Sequence, residues 1–149
     1  NDCGCEGMGW KSNPVYDLVK GLKERGAPIH GVGLQAHFEL GKVPPADEIR
    51  ENIRRYAKLG LAVHITELDI RIEGSPGKMD FKDQAEQYVQ VLEAVAAEPN
   101  AKVLILWGFT DKHSWIPQFF KGFGSALIFD EDYQPKPAYQ ALRRFLQAR

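Results

Sequence analysis

The chain has 149 residues, of which 44% are hydrophobic and 26% are charged, and 20 acidic side chains balance 19 basic ones. This is the composition of an ordinary globular protein, and the length predicts one domain over residues 1–149. The balance of charge argues against a nucleic-acid binder, which needs a clustered excess of Lys and Arg. No apolar run approaches the roughly 20 residues of a membrane span, and two cysteines are too few for a disulfide scaffold.

Turn residues divide the chain into alternating helix-like and strand-like segments. Short apolar runs bounded by Gly or Pro indicate buried strands, and apolar residues at i, i+3 and i+4 indicate helices. Ser12 and Asn13 are candidate N-caps of the first helix. The predicted elements, in chain order, are a helix at about 12–26, a strand at 29–35, a helix at about 46–60, a strand at 61–65, a helix at about 80–98, a strand at 103–107, an extended piece at 126–129 and a helix from about residue 137. The third helix is expected to bury Ala85, Tyr88, Val89, Leu92, Val95 and Ala96.

The alternation of strands with helices predicts an α/β fold with parallel strand pairing. In such folds the loops at the C-terminal ends of the strands build the active site, because the strand ends are rigid and the loops can vary. A solvated strand terminus would explain any one polar group there, but polar groups follow all three predicted strands. They are Gln35 and His37, then Thr66, Glu67 and Asp69, then Trp107, Thr110 and Asp111.

Glu67 is the strongest candidate for a reactive group, because it follows the apolar run at 61–65. A carboxylate at the rim of a sheet can act as a nucleophile toward carbon or as a general base. If the strand continues, Asp69 faces the same side and can orient His37, which can in turn hydrogen-bond to Glu67. A structural salt link is the alternative interpretation of these residues.

One loop region combines aromatic residues with glycine and charged residues. Core packing usually explains aromatic side chains, but glycine and charge are poor core composition. Aromatic faces beside carboxylates suit pyranose rings, whose C–H faces stack on an aromatic ring while their hydroxyl groups bond to charged groups. Carbohydrate is therefore the predicted substrate class. The aromatic residues are Trp107, Trp115, Phe119, Phe120 and Phe123.

No metal or cofactor site is predicted. Cys3 and Cys5 form a C-x-C pair that lacks the further ligands of a zinc site. The 31–33 segment (Gly-Val-Gly) lies within a predicted strand, so it is not interpreted as a phosphate-binding loop. His64 lies inside an apolar run and is interpreted as a core residue.

Longer motifs follow one another along the whole chain: GLQAH at 33–37, ITELDI at 65–70, WGFTDKHSWIP at 107–117, LIFD at 127–130 and PKPAY at 135–139. Together with the opening Asn1-Asp2, these motifs resemble the catalytic half of glycoside hydrolase family 10, the endo-β-1,4-xylanases. The resemblance implies a (β/α)8 TIM-barrel fold, of which this chain supplies about the second half, from the end of strand 5 to helix 8.

The resemblance also implies an activity and the residues that perform it. The activity is the hydrolysis of xylan with retention of anomeric configuration, with Glu67 as the nucleophile and with His37 and Asp69 as its hydrogen-bonded support. The residues implied to bind sugar are Gln35 in the subsite beside the nucleophile, Trp107 below the sugar at the cleaved bond and Trp115 above the site.

Two departures from the family pattern limit what the chain alone is expected to do. Retaining hydrolysis needs a second carboxyl group about 5 Å from the nucleophile, and the Asn-Glu pair that carries it in the family is absent from this sequence. Cys3 stands where the family usually has a sugar-binding tyrosine. The chain alone is therefore expected to be incomplete or inactive. Its expected partners are xylan or xylo-oligosaccharides and either an N-terminal half-barrel or a second copy of itself.

Two other functions remain as alternatives. The chain could be a non-catalytic fragment that binds sugar or self-assembles, or part of a hydrolase of another β-glycan. An extracellular or periplasmic location is implied only by the resemblance to a family that degrades a polymer.

Overall fold

The computed structural model describes residues 1–149. It contains five α-helices, five β-strands and a short 3-10 helix at Asp111–His113. None of the helices combines the length and the apolarity that a bilayer span requires. In chain order the elements are α1 (Ser12–Glu24), β1 (Gly31–Leu34), β2 (His37–Glu39), α2 (Ala46–Ala57), β3 (Ala62–Glu73), α3 (Lys78–Ala96), β4 (Ala101–Leu106), α4 (Ile116–Phe119), β5 (Phe123–Gly124) and α5 (Pro137–Gln147).

The longest strand, β3, takes different partners along its length. β1 pairs with its first residues in parallel, with Gly31 opposite Ala62. β2 pairs in parallel with a later stretch, where His37 lies opposite Asp69. β4 also pairs with β3, and β5 pairs with its last residues in the antiparallel direction. The parallel pairs confirm the predicted α/β class.

The chain divides into two compact units, and the division falls within β3, after Glu67. The first unit consists of Asn1–Ala36, Pro44–Glu67 and Glu93–Ile105. The second unit consists of His37–Val43, Leu68–Leu92 and Leu106–Arg149.

α2 supplies much of the core of the first unit. Its side chains of Ile49, Ile53 and Tyr56 are fully buried and recur every three or four residues, as an amphipathic helix requires. Asp47 and Glu48 lie in the first turn, where carboxylates interact favourably with the positive end of the helix dipole.

α2 ends in a Schellman motif, which satisfies two of its last carbonyl groups. The N–H of Gly60 donates to the oxygen of Ala57 at 2.9 Å, and the N–H of Leu61 donates to the oxygen of Tyr56 at 3.1 Å. Gly60 has φ +70°, a conformation that strains residues with a Cβ. The side-chain amide of Asn100 then donates to the oxygen of Leu61 at 3.2 Å, which holds the start of β3 in the first unit.

Two buried side chains of α3 anchor the helix within the second unit. Tyr88 Oη donates to the oxygen of Ala126 at 2.6 Å. Gln84 Nε2 donates to the oxygens of Ile70 and Ser125, each at 2.7 Å. These bonds help to satisfy buried carbonyl groups and join the helix to β3 and to the loop before α5.

The predicted strand at 61–65 is too short, because β3 continues to Glu73. Thr66, Glu67 and Asp69 therefore lie within the strand and not after its end. The apolar run ends at Ile65, but pairing with β2 and β5 supplies hydrogen bonds to the later residues of the strand. Leu68, Ile70 and Ile72 are also buried and alternate with polar residues, a strand pattern that the prediction overlooked.

Three smaller expectations are also wrong. Neither Ser12 nor Asn13 caps α1, because Ser12 is already helical and its Oγ accepts from the N–H of Gly9 at 2.9 Å. The piece at 126–129 is not a strand, and Phe129 alone forms isolated bridges. The buried face of α3 is rotated from the predicted one, because Gln84 and Tyr88 reach carbonyl partners. Ala85, Tyr88 and Val95 are buried as expected. Val91 and Ala94 are buried instead of Val89, Leu92 and Ala96.

A buried ion pair holds the loop after β4 against the segment before α5. Lys136 Nζ lies 2.8 Å from Asp111 Oδ2, with side-chain exposures of 5% and 8%. Asp111 Oδ1 accepts the N–H of Leu127 at 2.7 Å, and Lys136 Nζ donates to the oxygen of Ser125 at 2.7 Å. Burial raises the pKa of Asp111 and lowers the pKa of Lys136, and their mutual attraction opposes both shifts.

Lys136→Met is expected to lower the free energy of unfolding by about 3–5 kcal/mol, because it leaves the Asp111 carboxylate buried without its cation. The double variant Asp111→Asn, Lys136→Met removes that charge and keeps an acceptor for Leu127, so it is expected to recover part of the loss. Urea denaturation of both variants measures the difference. Equal losses in the two variants would contradict a role for the uncompensated charge.

Candidate active site

The candidate catalytic carboxylates lie two residues apart on β3. Glu67 is the last β3 residue of the first unit, and Asp69 belongs to the second unit. Glu67 is half-buried, whereas Asp69 is fully buried. Each carboxylate accepts hydrogen bonds from side chains of its own unit, and the two clusters have different chemistry.

The side chain of Asn1, the first residue of the first unit, holds the Glu67 carboxylate. Asn1 Nδ2 donates to Glu67 Oε1 at 2.8 Å. The hydroxyl of Thr66 donates to Asn1 Oδ1 at 2.9 Å. Because the amide oxygen accepts from Thr66, the amide nitrogen must face Glu67, and this orients the carboxylate.

Gly33 leaves the space in which the Asn1 side chain lies. A Cβ at this position would lie 2.5 Å from Asn1 Oδ1 and 3.1 Å from Thr66 Cγ2, closer than van der Waals contact allows. The same region of the first unit contains an open cavity of about 280 Å³. His64 lines this cavity and is half-buried, so its interpretation as a core residue is wrong.

Asp69 accepts two hydrogen bonds on one oxygen. Trp115 Nε1 lies 2.8 Å from Asp69 Oδ2, and His37 Nδ1 lies 3.0 Å from the same atom. Indole N–H is only a donor, and a carboxylate is an acceptor, so Nδ1 of His37 carries the proton in this pair. The imidazole also lies edge-on to the Trp115 ring, at 4.8 Å between ring centroids. The cluster thus fixes the tautomer and the orientation of His37.

The two candidate tryptophans differ in their contacts and in their exposure. Trp115 is half-buried, its N–H bonds to Asp69, and its ring packs against Phe119 and Phe120 at 5.1 and 5.5 Å. Trp107 follows the last residue of β4, and 47% of its surface is exposed. An exposed indole ring can stack on a ligand, whereas Trp115 is held in a structural contact at its polar edge.

Gln35 lies at the end of β1, where the chain turns toward β2. Its N–H donates to the oxygen of Asp2 at 2.9 Å, and the side chain is half-buried. The next residue, Ala36, has φ +65°, which is a strained conformation for a residue with a Cβ. The buried carboxylate of Glu6 accepts the Ala36 N–H at 2.8 Å and stabilises this turn.

Sequence reasoning placed Glu67, Asp69, His37 and the tryptophans among the candidates but missed the residues that orient them. Asn1 and Glu6 are absent from the predicted site residues. Both act across large sequence separations, 66 residues for the Asn1–Glu67 bond and 30 for the Glu6–Ala36 bond. The opening Asn1-Asp2 motif is the one signal that pointed to Asn1.

The structure shows no group of three or more His, Cys, Asp or Glu side chains that could hold a metal ion. Cys3 is exposed and Cys5 is buried, and neither forms a disulfide bond. Burial raises the pKa of Cys5 to about 12, so its thiol stays protonated and is a poor metal ligand.

Comparison with known proteins relates the chain to one family. A family model described as glycosyl hydrolase family 10 matches residues 1–145. The chain is 44% identical to endo-1,4-beta-xylanase B of Thermotoga neapolitana, over 99% of this chain and 42% of the relative. It is 39% identical to an endo-1,4-beta-xylanase of Agaricus bisporus, over 95% of this chain and 42% of the relative.

Solved structures give the same result. Xylanase 10B of Thermotoga petrophila RKU-1, in complex with xylobiose, superposes with a TM-score of 0.95 at 44% identity, over 99% of this chain and 45% of that chain. Penicillium canescens endo-1,4-beta-xylanase XylE superposes with a TM-score of 0.94 at 37% identity, over 100% of this chain and 45% of that chain. These matches confirm the TIM-barrel class, and the chain spans less than half the length of the relatives it matches.

Gly33→Ala is expected to displace the Asn1 side chain and to break its bonds with Thr66 and Glu67, because the added methyl group occupies the position of Asn1 Oδ1. The side-chain amide resonances of Asn1 in a ¹H–¹⁵N spectrum report the change directly. Gly31→Ala is the nearest control within β1. Unchanged Asn1 resonances in Gly33→Ala would contradict the proposed close approach.

Glu6→Gln is expected to change how stability depends on pH. Burial raises the pKa of Glu6 above the usual 4.5, although the Ala36 N–H opposes the shift. The folded state therefore binds this proton more tightly than the unfolded state. Glu6 contributes most stability below the unfolded pKa, and this contribution is lost as pH rises through the folded pKa. Urea denaturation between about pH 4 and pH 7 is expected to show this decline in the wild type and a smaller one in Glu6→Gln.

Proposed function

Since the chain belongs to glycosyl hydrolase family 10, we propose that it carries part of the active site of a retaining endo-1,4-β-xylanase, with Glu67 as the nucleophile. The observation that carries this proposal is the half-buried Glu67 carboxylate, oriented by Asn1 at 2.8 Å. An oriented carboxylate can attack carbon from a defined direction, whereas a mobile one must first be ordered.

In the proposed first step, an oxygen of Glu67 forms an ester bond with the anomeric carbon of a xylose unit. The bond from that carbon to the leaving oxygen breaks, and the leaving oxygen keeps the electron pair and takes a proton from an acid residue. A water molecule then attacks the same carbon and gives a proton to the acid residue, which lost its own proton in the first step. The ester bond to Glu67 breaks, the carboxylate keeps the electron pair, and the original anomeric configuration is restored.

We assign supporting roles to the second cluster. Asp69 and Trp115 hold His37 in one tautomer, and the ordered imidazole is proposed to support Glu67. Trp107 is proposed as the stacking surface below the sugar at the cleaved bond, since 47% of its surface is exposed. Gln35 is proposed to line the adjoining subsite, and Trp115 to cover the site.

The acid residue is proposed to come from a polypeptide that this chain does not contain. The chain has no Asn-Glu dipeptide, and it covers 42% of its relative from Thermotoga neapolitana. An N-terminal half-barrel is the proposed source of this residue. A second copy of the chain, the alternative partner, lacks the Asn-Glu dipeptide as well and would not supply it. Glycosidic bonds with poor leaving groups are therefore expected to resist cleavage by this chain alone.

Sugar binding without catalysis is the second candidate function. It is favoured by the exposure of Trp107 together with the lack of the Asn-Glu motif. Such a fragment would bind xylo-oligosaccharides but would not form a covalent bond with any of them.

A 2,4-dinitrophenyl 2-deoxy-2-fluoro-xylobioside distinguishes the two functions, because its leaving group departs without protonation. The wild-type chain is expected to gain one fluoroxylobiosyl group on Glu67, located by mass spectrometry of peptides. Glu67→Gln is expected to remain unlabelled. Glu73→Gln, which changes an exposed carboxylate at the end of β3, is the matched control and is expected to label normally. Labelling of another residue, or none of a folded chain, would falsify the nucleophile assignment.

A further inference from the structure

One buried carboxylate of the first unit takes no part in the proposed chemistry. Glu6 lies in the opening segment of the chain, 2% of its surface is exposed, and its Oε1 accepts the N–H of Ala36 at 2.8 Å. An acidic side chain is costly to bury unless donors replace water. Glu6 thus ties the opening segment to the turn after β1 from inside the unit, where no substrate reaches it.

The turn that Glu6 contacts is strained and adjoins a proposed sugar-binding residue. Ala36 is fully buried and has φ +65°, a conformation that persists in a residue with a Cβ only where the surroundings hold it. The N–H of the preceding residue, Gln35, donates to the oxygen of Asp2 at 2.9 Å. The opening segment therefore holds the peptide groups on both sides of the Gln35 α-carbon, and this sets the direction of the Gln35 side chain.

The same segment carries Asn1, whose side-chain amide orients the Glu67 carboxylate. The N–H of Asp2 donates to the oxygen of Gly33 at 3.2 Å, so the segment runs parallel to the end of β1. The bonds of Asp2 and Glu6 attach the segment to this part of the chain at separate points. The place of Asn1 beside Glu67 depends on that attachment.

α2 fixes the segment from the other side. Asn52 is fully buried, and its Nδ2 donates to the oxygens of Cys5 and Glu6 at 2.6 and 2.9 Å. Its Oδ1 accepts from Arg55 Nε at 2.8 Å, so the amide nitrogen must face the two carbonyl groups. Arg55 Nη2 also donates to the oxygen of Ser12 at 2.7 Å. We call Glu6, Asn52 and Arg55 the Glu6 clamp.

We propose that the Glu6 clamp positions the reacting groups, because it holds the opening segment so that Asn1 stays bonded to Glu67 and Gln35 faces the sugar. This inference rests on the proposed function. The members of the clamp are positioning residues, which act through the backbone of the segment and not on the substrate. Without the clamp the Glu67 carboxylate must be ordered before it attacks, and a misplacement of about 1 Å can slow a reaction about a hundredfold.

The test is the rate at which the 2,4-dinitrophenyl 2-deoxy-2-fluoro-xylobioside labels Glu67, measured per folded molecule over a range of inactivator concentrations. Glu6→Leu removes the acceptor for Ala36, and the rate at saturation is expected to fall by roughly tenfold or more. The half-saturating concentration is expected to change less, since Trp107 is intact. Glu6→Gln keeps an acceptor oxygen for Ala36 and is expected to recover most of the rate.

A milder pair of variants on α2 provides the matched control and decides the question if Glu6→Leu does not fold. Arg55→Met releases the amide of Asn52 and is expected to slow labelling several-fold. It is also expected to shift the side-chain amide resonances of Asn1 and Gln35 in a ¹H–¹⁵N spectrum. Arg54→Met removes the neighbouring arginine, whose Nη2 pairs with Glu98 at 2.8 Å outside the clamp. It is expected to leave the rate and these resonances unchanged.

Three outcomes would overturn the inference in different ways. Equal labelling rates in the wild type, Glu6→Leu and Arg55→Met remove the positioning role and leave Glu67 as the nucleophile. Losses in Arg55→Met and Arg54→Met that only follow the fraction of unfolded protein reduce the clamp to a support of folding. A folded wild type that is not labelled overturns the proposed function, and the positioning role falls with it.

Discussion

Pairing with several neighbouring strands keeps β3 extended over twelve residues, from Ala62 to Glu73, and the candidate site depends on it. β1 supplies hydrogen bonds at the start of the strand and β2 supplies them further along. After Ile65, buried Leu68, Ile70 and Ile72 alternate with polar residues, as in a strand with one apolar face. The extended backbone gives the carboxylates of Glu67 and Asp69 defined directions.

Buried carboxylates recur in this protein, and each is matched to specific donors. Asp69 accepts from an indole and an imidazole, Glu6 from a backbone N–H in a strained turn, and Asp111 from a backbone N–H and a buried ammonium group. Burial of an acidic group is costly unless donors replace water. Each of these carboxylates joins segments that are distant in sequence, so the same bonds that offset desolvation also position the loops around the site.

The aromatic residues divide into two groups, those whose rings pack against other side chains and those whose rings are largely exposed. Trp115 uses its N–H on Asp69, and its ring is surrounded by His37, Phe119 and Phe120. Trp107, Phe109 and Tyr133 keep large parts of their rings exposed. The ring of Trp115 is thus engaged in contacts within the second unit, whereas the second group presents aromatic faces to solvent.

The sequence by itself determined the α/β class, the approximate positions of the helices and the identity of Glu67, Asp69, His37 and the tryptophans as candidates. These features depend on local patterns: apolar periodicity, glycine at helix ends and short motifs. Tertiary structure alone decided which partners β3 takes along its length, that α3 buries Val91 and Ala94, and that Asn1 orients Glu67. The reason is that these features depend on hydrogen bonds and packing between residues tens of positions apart, which no local pattern records.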